Sequence, residues 1–265
     1  MLRIDVLLEG YAFQTDVGII GFCSVILIEG GPRRVLVDTA HVGRRIFIGP
    51  ALERRGLTPA DIDCVVMTHA HWDHIQNWDL FPHAPLLMHR HEWLYSQHPH
   101  PNDWATPLWT GDSLRQARVV EVEEGYEVMP GCRIIELIGH SPGSIGVEVE
   151  TEQGLCIITG DALHFASVAL SGENPLVFWD DRLARQSIQR VVQRADVIYP
   201  GHDQPFRLVN GRIEYLHPFD ITLTGLAADR PGLKFLPEPP PRGWRVMPGI
   251  EEQRARLEGL LRQRG

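Results

Sequence analysis

Residues 69–74 read His-Ala-His-Trp-Asp-His, and four of these six side chains are metal ligands by type. In an extended turn, residues i and i+2 share a side, so His69 and His71 can converge on one ion. As the chain bends into a helix, Asp73 and His74 project onward and can reach a second ion beside the first. Neutral imidazole and carboxylate suit zinc, with manganese, iron and cobalt as further options. One ion takes about four ligands, so the run is incomplete by itself.

Three later segments can complete it. "ELIGHSPGSIG" places His140 after a strand-like run, "CIITGDALH" does the same for Asp161, and "VIYPGHD" for His202. A reasonable partition gives His69, His71 and His140 to the first ion, and Asp73, His74 and His202 to the second, with Asp161 bridging. A lone histidine at a strand end is more often a structural group than a ligand. Seven potential ligands, each at a strand end, reverse that expectation and indicate a site for two divalent ions.

The elements that must aim these side chains follow from hydropathy. "CSVILIEG" and "DIDCVVMTH" are nearly continuous apolar runs, as strands buried on both faces require. Residues 3–9, 18–28 and 33–38 are short β-rich segments. Further strands are expected at 117–122, 133–138, 144–150, 154–159 and 197–202. "GRRIFIGPALERRG" has helical spacing with Gly56 as its stop, and "DDRLARQSIQRVVQRAD" repeats near the helical period. Asn210-Gly211 marks a hairpin. The order fits two mixed sheets packed face to face with helices outside, an α/β four-layer arrangement.

Residues 1–219 are read as the catalytic unit. Residues 220–265 are read as an extension with a proline-rich stretch, "LPEPPPRGW", and an amphipathic helix that could dock on its own core or mediate a homodimer. Residues 97–113 read as a long loop. The segment 10–22 reads as a loop over a cleft, with Tyr11 and Phe13 facing substrate. Trp72, Phe165 and Trp179 are further aromatic candidates for an apolar pocket. His89, His91, His98 and His100 lack paired spacing around buried strands and default to surface or supporting positions, as do His41 and His83.

The chain has 265 residues, 43% hydrophobic and 22% charged, with a formal net charge of −9. That balance gives no electrostatic footprint for a nucleic-acid partner. The amino-terminal "MLRIDVLLEGYAF" lacks the layout of a signal peptide, and no stretch reaches the roughly 18 apolar residues of a membrane span. A cytoplasmic protein with a small-molecule substrate is expected. The four cysteines are far apart and form no CxxC pair, so buried free thiols are the expectation.

HxHxDH with the later histidine, aspartate and histidine resembles the metallo-β-lactamase-fold hydrolases, over roughly residues 15–205. The motif pattern is closest to the N-acyl-homoserine-lactonase-like branch, through "YPGHDQP" and "FPHAPLLMHRHEWLY". The resemblance implies an αββα sandwich with two metal ions, most commonly zinc, in a cleft between the sheets. It supports the same seven ligands. It also implies that Asp38 in "VDTA" supports the ligand loop without binding metal, although alanine stands where the family has glycine.

An ion pair of this kind acidifies a shared water and polarises a carbonyl, so the implied activity is hydrolysis of a lactone or similar acyl ester. Asp73 could also shuttle a proton to the leaving group. Lactonases of this branch often carry tyrosine three residues after the bridging aspartate. Here that position is His164, which could donate the same hydrogen bond. Thioesterase of the glyoxalase-II type, or other ester or amide hydrolysis, is the alternative. "GDALH" continues "FASVALSG" rather than the glycine–cysteine–glycine stretch of glyoxalase-type enzymes and sulfur dioxygenases. A metal-stabilised module without turnover is the non-enzymatic alternative.

Overall fold

The computed structural model describes residues 1–16, 18–222, 224–225 and 243–264. The proline-rich stretch at 236–241 and the rest of 226–242 lie outside the described residues. The chain opens with strands β1 (Arg3–Leu8), β2 (Tyr11–Gln14), β3 (Ile19–Phe22), β4 (Val25–Glu29) and β5 (Val35–Val37), then helix α1 (Arg45–Glu53). Strand β6 (Cys64–Val66) leads into the short helix α2 (Trp72–Ile75). Strand β7 (Leu86–His89), α3 (Arg90–Gln97), α4 (Trp109–Leu114) and β8 (Val119–Val122) follow. The second half contains β9 (Glu127–Met129), β10 (Cys132–Glu136), β11 (Ile145–Thr151), β12 (Gly154–Gly160), α5 (Ala166–Ser171) and α6 (Asp181–Arg194). It closes with β13 (Val197–Pro200), β14 (Phe206–Val209), β15 (Arg212–Tyr215) and α7 (Ile250–Arg264).

Two mixed sheets result. One runs β1-β4-β5-β6-β7-β8 and the other β15-β14-β13-β12-β11-β10-β9. Within them β5-β6-β7-β8 and β12-β13 pair in parallel, and the remaining neighbours pair antiparallel. The apolar runs take part in two cores at once, because successive side chains on a strand point to opposite faces. Ile26, Ile28, Val35, Val37, Cys64 and Val66 meet Ile134, Val147, Val149 and Ile158 between the sheets. Their neighbours Val25, Leu27, Leu36 and Val65 pack outward against Ile48 and Leu52 of α1. Ile135, Ile157 and Ile198 pack outward against Ile188 and Val191 of α6. The layers are therefore helix, sheet, sheet, helix, as the element order implied.

Two local expectations change. The segment 10–22 is a β2–β3 hairpin forming its own two-stranded sheet, not a loop. Within the predicted loop at 97–113, residues from Trp109 onward are helical in α4. At the expected hairpin, Asn210 and Gly211 have φ of 50° and 73°, the left-handed pair that a two-residue turn needs. Helix α7 docks on α3, where Leu257 joins Leu94 and Tyr95 in a buried cluster. All four cysteines are buried free thiols. No helix among the described residues is long and apolar enough to cross a membrane.

Candidate metal centre

The ligand-type residues sit where strands stop. His69 follows β6 by three residues, Asp161 follows β12 directly, and His202 follows β13 by two. His140 lies in the turn between β10 and β11. All seven side chains named from the sequence are buried, and they fall into two adjacent groups. His69, His71, His140 and Asp161 form one; Asp73, His74 and His202 form the other, with ligand atoms within 4.8 Å of one another in each. Asp161 lies between them. Its Oδ2 is 3.6 Å from His140 Nε2 and 3.9 Å from His69 Nε2. Its Oδ1 is 3.3 Å from His74 Nε2 and 3.2 Å from His202 Nε2. Asp73 Oδ2 lies 3.4 Å from His202 Nε2.

Hydrogen bonds behind the rings decide which nitrogen faces inward. His74 Nδ1 is 2.7 Å from Asp38 Oδ2, so that nitrogen carries the proton and Nε2 faces the cluster. Thr68 Oγ1 donates to Asp38 Oδ2 at 2.8 Å, which leaves its oxygen to accept from His69 Nδ1 at 3.0 Å. His140 Nδ1 donates to Leu176 O at 2.7 Å. His71 Nδ1 is 3.0 Å from His140 Nε2, close enough to share a proton or a cation.

This arrangement fits divalent metal. The inward Nε2 atoms of His69 and His74, and Oδ1 of Asp161, are buried without a hydrogen-bond partner. A nitrogen lone pair aimed at a carboxylate is repulsive unless a positive charge stands between them. Protons and metal ions compete for that place. The charge balance follows the same division. Burial pushes His69 and His140 well below the usual histidine range and takes His71 to about 3. Burial also opposes charging of His74 and His202, yet nearby acidic groups, Asp161 among them, raise both. For Asp161 burial is outweighed by His164, His202 and His74, which hold its carboxyl well below the ordinary range.

Two glycines keep this space open. A Cβ on Gly201 would stand 2.1 Å from Asp161 Oδ1, and one on Gly160, at φ 49°, would stand 2.6 Å from Thr68 Oγ1. Gly201→Ala is therefore expected to displace the Asp161 carboxylate and to lower unfolding free energy by about 1–3 kcal/mol, as overpacking does. Urea unfolding would read this; an unchanged midpoint would mean that Asp161 has room to move.

Asp38 hydrogen-bonds behind the ligand-type residues. Besides His74 and Thr68 Oγ1, it accepts from Thr68 N at 2.8 Å. Its φ is 59° and that of Ala40 is 58°, so alanine occupies a left-handed position that suits glycine better. Asn77 ties this turn down by donating to Thr39 O, Ala40 O and His41 O.

Sequence reasoning missed Glu92. It is fully buried on α3. Oε1 accepts from Ala70 N at 2.8 Å, while Oε2 accepts from Gly143 N at 2.8 Å and Ser141 Oγ at 2.7 Å. One carboxylate thus ties the His69–His71 turn to the His140 turn. The available signal was Glu92 sharing a helix face with Tyr95 and Ser96, at i, i+3 and i+4, all three buried.

The cleft above the cluster has apolar walls from Ala12, Ile19, Trp72, Trp104, Phe165 and Phe178. His164 lies at its floor, with Nε2 3.0 Å from Asp161 Oδ2. Trp72 and Phe165 line this cleft; Tyr11, Phe13 and Trp179 do not. Ala12 faces the cleft, so strand alternation turns Tyr11 and Phe13 to the opposite side of the hairpin. There Tyr11 packs on Phe13, Phe22 and Phe219. Trp179 lies under the Arg254 guanidinium beside Tyr95, away from the cleft. His89 and His100 are buried and not on the surface. His89 caps α3 by accepting from His91 N, and His100 accepts from Asn102 N.

Known proteins place this geometry in context. The family model of the metallo-beta-lactamase superfamily matches residues 18–202. Metallo-beta-lactamase domain-containing protein 1 of Xenopus laevis is 34% identical over 218 residues, covering 78% of this chain and 82% of that protein. The N-acyl homoserine lactonase of Bacillus thuringiensis is 31% identical over 157 residues, 57% of this chain and 60% of the lactonase. Among solved structures, the B. thuringiensis protein AiiA with N-decanoyl-L-homoserine bound superposes with a TM-score of 0.61 at 23% identity, covering 76% of this chain and 92% of that one. AidC, a dizinc quorum-quenching lactonase, superposes with a TM-score of 0.56 at 15% identity, covering 77% and 82%. At those identities the superpositions speak for the fold alone. By sequence match and by architecture, the chain belongs to the metallo-beta-lactamase superfamily.

Proposed function

We propose that this chain is a metal-dependent hydrolase that opens a lactone or similar small acyl ester with two divalent ions, zinc by preference. The observation that carries the reading is Asp161, whose two oxygens face two separate histidine groups at the floor of an apolar cleft. Similarity to proteins named as homoserine lactonases narrows the substrate class. Bound ions would supply an acidified water and polarise the acyl carbonyl.

The chain's own groups do the rest. Phe178, Trp72, Phe165 and Ile19 hold the acyl portion and exclude bulk water. His164 lines the same cleft with Nε2 3.0 Å from Asp161 Oδ2, and once bound ions engage that carboxylate its N–H would be available to the carbonyl oxygen as negative charge develops there. Hydrolysis joins the water's oxygen to the acyl carbon and breaks the ring C–O bond. The water's proton, held by Asp73, passes to the departing ring oxygen. Asp73 lines the cleft beside His202, where a carboxylate can take up and return that proton.

The test offers Zn2+-loaded protein a panel of lactones of graded chain length beside matching linear thioesters. Lactone turnover is expected, reduced about 100-fold or more in Asp73→Asn, the range for losing a positioned acid–base group. Turnover of thioesters alone would overturn the lactone reading.

A further inference from the structure

The superfamily match ends at residue 202, yet the segment beginning at Trp244 reaches the candidate site from behind. Val177 N donates to Arg245 O at 2.8 Å, and Met247 N donates to Val177 O at 2.8 Å. Val177 and Val246 form a parallel bridge between these bonds. The Trp244 ring meets Phe178 edge-on, with centroids 5.3 Å apart. Met247 and Ile250 share a buried cluster with Phe178 and Ala105. Arg245 fixes the segment outside, pairing with Asp181 at 2.6 Å and donating to Asn174 O at 3.1 Å.

The other edge of the same strip belongs to His140. Leu176 O takes the His140 Nδ1 proton at 2.7 Å, and Phe178 N donates to His140 O at 2.8 Å. Residues 176–178 are thus a three-residue strip with His140 on one side and the carboxy-terminal segment on the other. A strip this short has no sheet of its own to hold it. Leu176 N donates to Asn174 Oδ1 at 3.0 Å, and on the outer edge the strip is held by the pairing at Val177.

We infer that the segment from Trp244 to Met247 is a positioning element for His140, acting through Leu176–Phe178. The carbonyl of Leu176 fixes the tautomer and direction of the His140 ring, so moving the strip turns Nε2 away from the cluster. This holds whichever substrate the cleft takes.

The test is a Trp244→Ala/Arg245→Ala double variant of the full chain, loaded with Zn2+ and followed by NMR of the imidazole N–H protons. His74 Nδ1–H, held by Asp38 on the far side of the cluster, is the internal control. The His140 Nδ1–H resonance is expected to shift and to exchange at least about tenfold faster while the His74 resonance stays in place. Zn2+ affinity by chelator competition is expected to fall about tenfold, the lower end for loss of a group that orients a ligand. Arg245→Ala alone is the milder arm and should move the His140 signal in the same direction. Ile48→Ala, buried in α1 in a different core cluster from the strip, is the control that destabilises the fold without touching the segment. An unmoved His140 resonance would overturn the inference. So would parallel loss of both ring protons, or the same His140 shift in Ile48→Ala. None of these readouts involves substrate, so they stand or fall apart from the lactone panel.

Discussion

Asp38→Asn should weaken Zn2+ binding by about 100-fold while leaving most of the fold's stability intact. The reason lies in which atoms can face which. Asp38 Oδ1 accepts from the backbone N of Thr68, a donor that cannot reverse, so an asparagine must place its oxygen there. Its NH2 then occupies the Oδ2 position, facing Thr68 Oγ1 and His74 Nδ1. Two donors cannot meet, so His74 shifts its proton to Nε2, where it points into the cluster and blocks ligation. Thr68 turns likewise, and His69 loses its fixed tautomer. Asp38→Ala differs in kind: three buried donors lose their acceptor together, and about 3–5 kcal/mol of stability should go with them. Competition with a chromophoric chelator and urea unfolding separate the two effects. If Asp38→Asn bound Zn2+ like the parent chain, the tautomer relay would not be what aims His74.

The second large effect is expected at Glu92, which touches no ligand side chain. Removing its carboxylate in Glu92→Ala strands Ala70 N and Gly143 N in a fully buried pocket, and leaves Ser141 Oγ with Ser144 Oγ as its partner. At about 1–3 kcal/mol for each unsatisfied buried group, partly relieved by entering water, a loss of about 3 kcal/mol is expected. Glu92→Gln retains the volume and one acceptor but sets an NH2 against donors, so partial rescue of stability is expected. In both variants the His69, His71 and His140 group should lose more metal affinity than the Asp73, His74 and His202 group. Sequential loading with Co2+ followed by absorption would show this. Equal weakening at both groups would mean that Glu92 stabilises the fold without tying the two turns together.

What the sequence disclosed here follows from the range over which its signals act. The run 69–74 is local, and the apolar stretch before it is long enough to read as a buried strand, so the motif and its support could be placed together. The same holds for Asp161 after β12 and His202 after β13. Alternation along β4 is equally local, and it assigns Ile26 and Leu27 to different cores. Tyr11 and Phe13 failed for a related reason. Glycine flanks suggest a loop, and alternation says which residues face the cleft only once the segment is a hairpin. Glu92 and Trp179 depend on partners far along the chain: Gly143 lies 51 residues beyond Glu92, and Arg254 lies 75 beyond Trp179. No local pattern carries that information.

The ligand-type residues come from both halves of the sandwich. His69, His71, Asp73 and His74 follow a strand of the first sheet, whereas His140, Asp161 and His202 belong to the second. Neither half of the chain holds a complete set. During synthesis, the amino-terminal sheet alone presents four donors with nothing opposite them, and a passing ion gains little by staying. On the proposed two-ion reading, full affinity would arise only when residue 202 has been made and the sheets have closed. Metal capture would then be a late event that seals a correctly assembled chain, rather than an early one that could trap a half-built chain in the wrong arrangement.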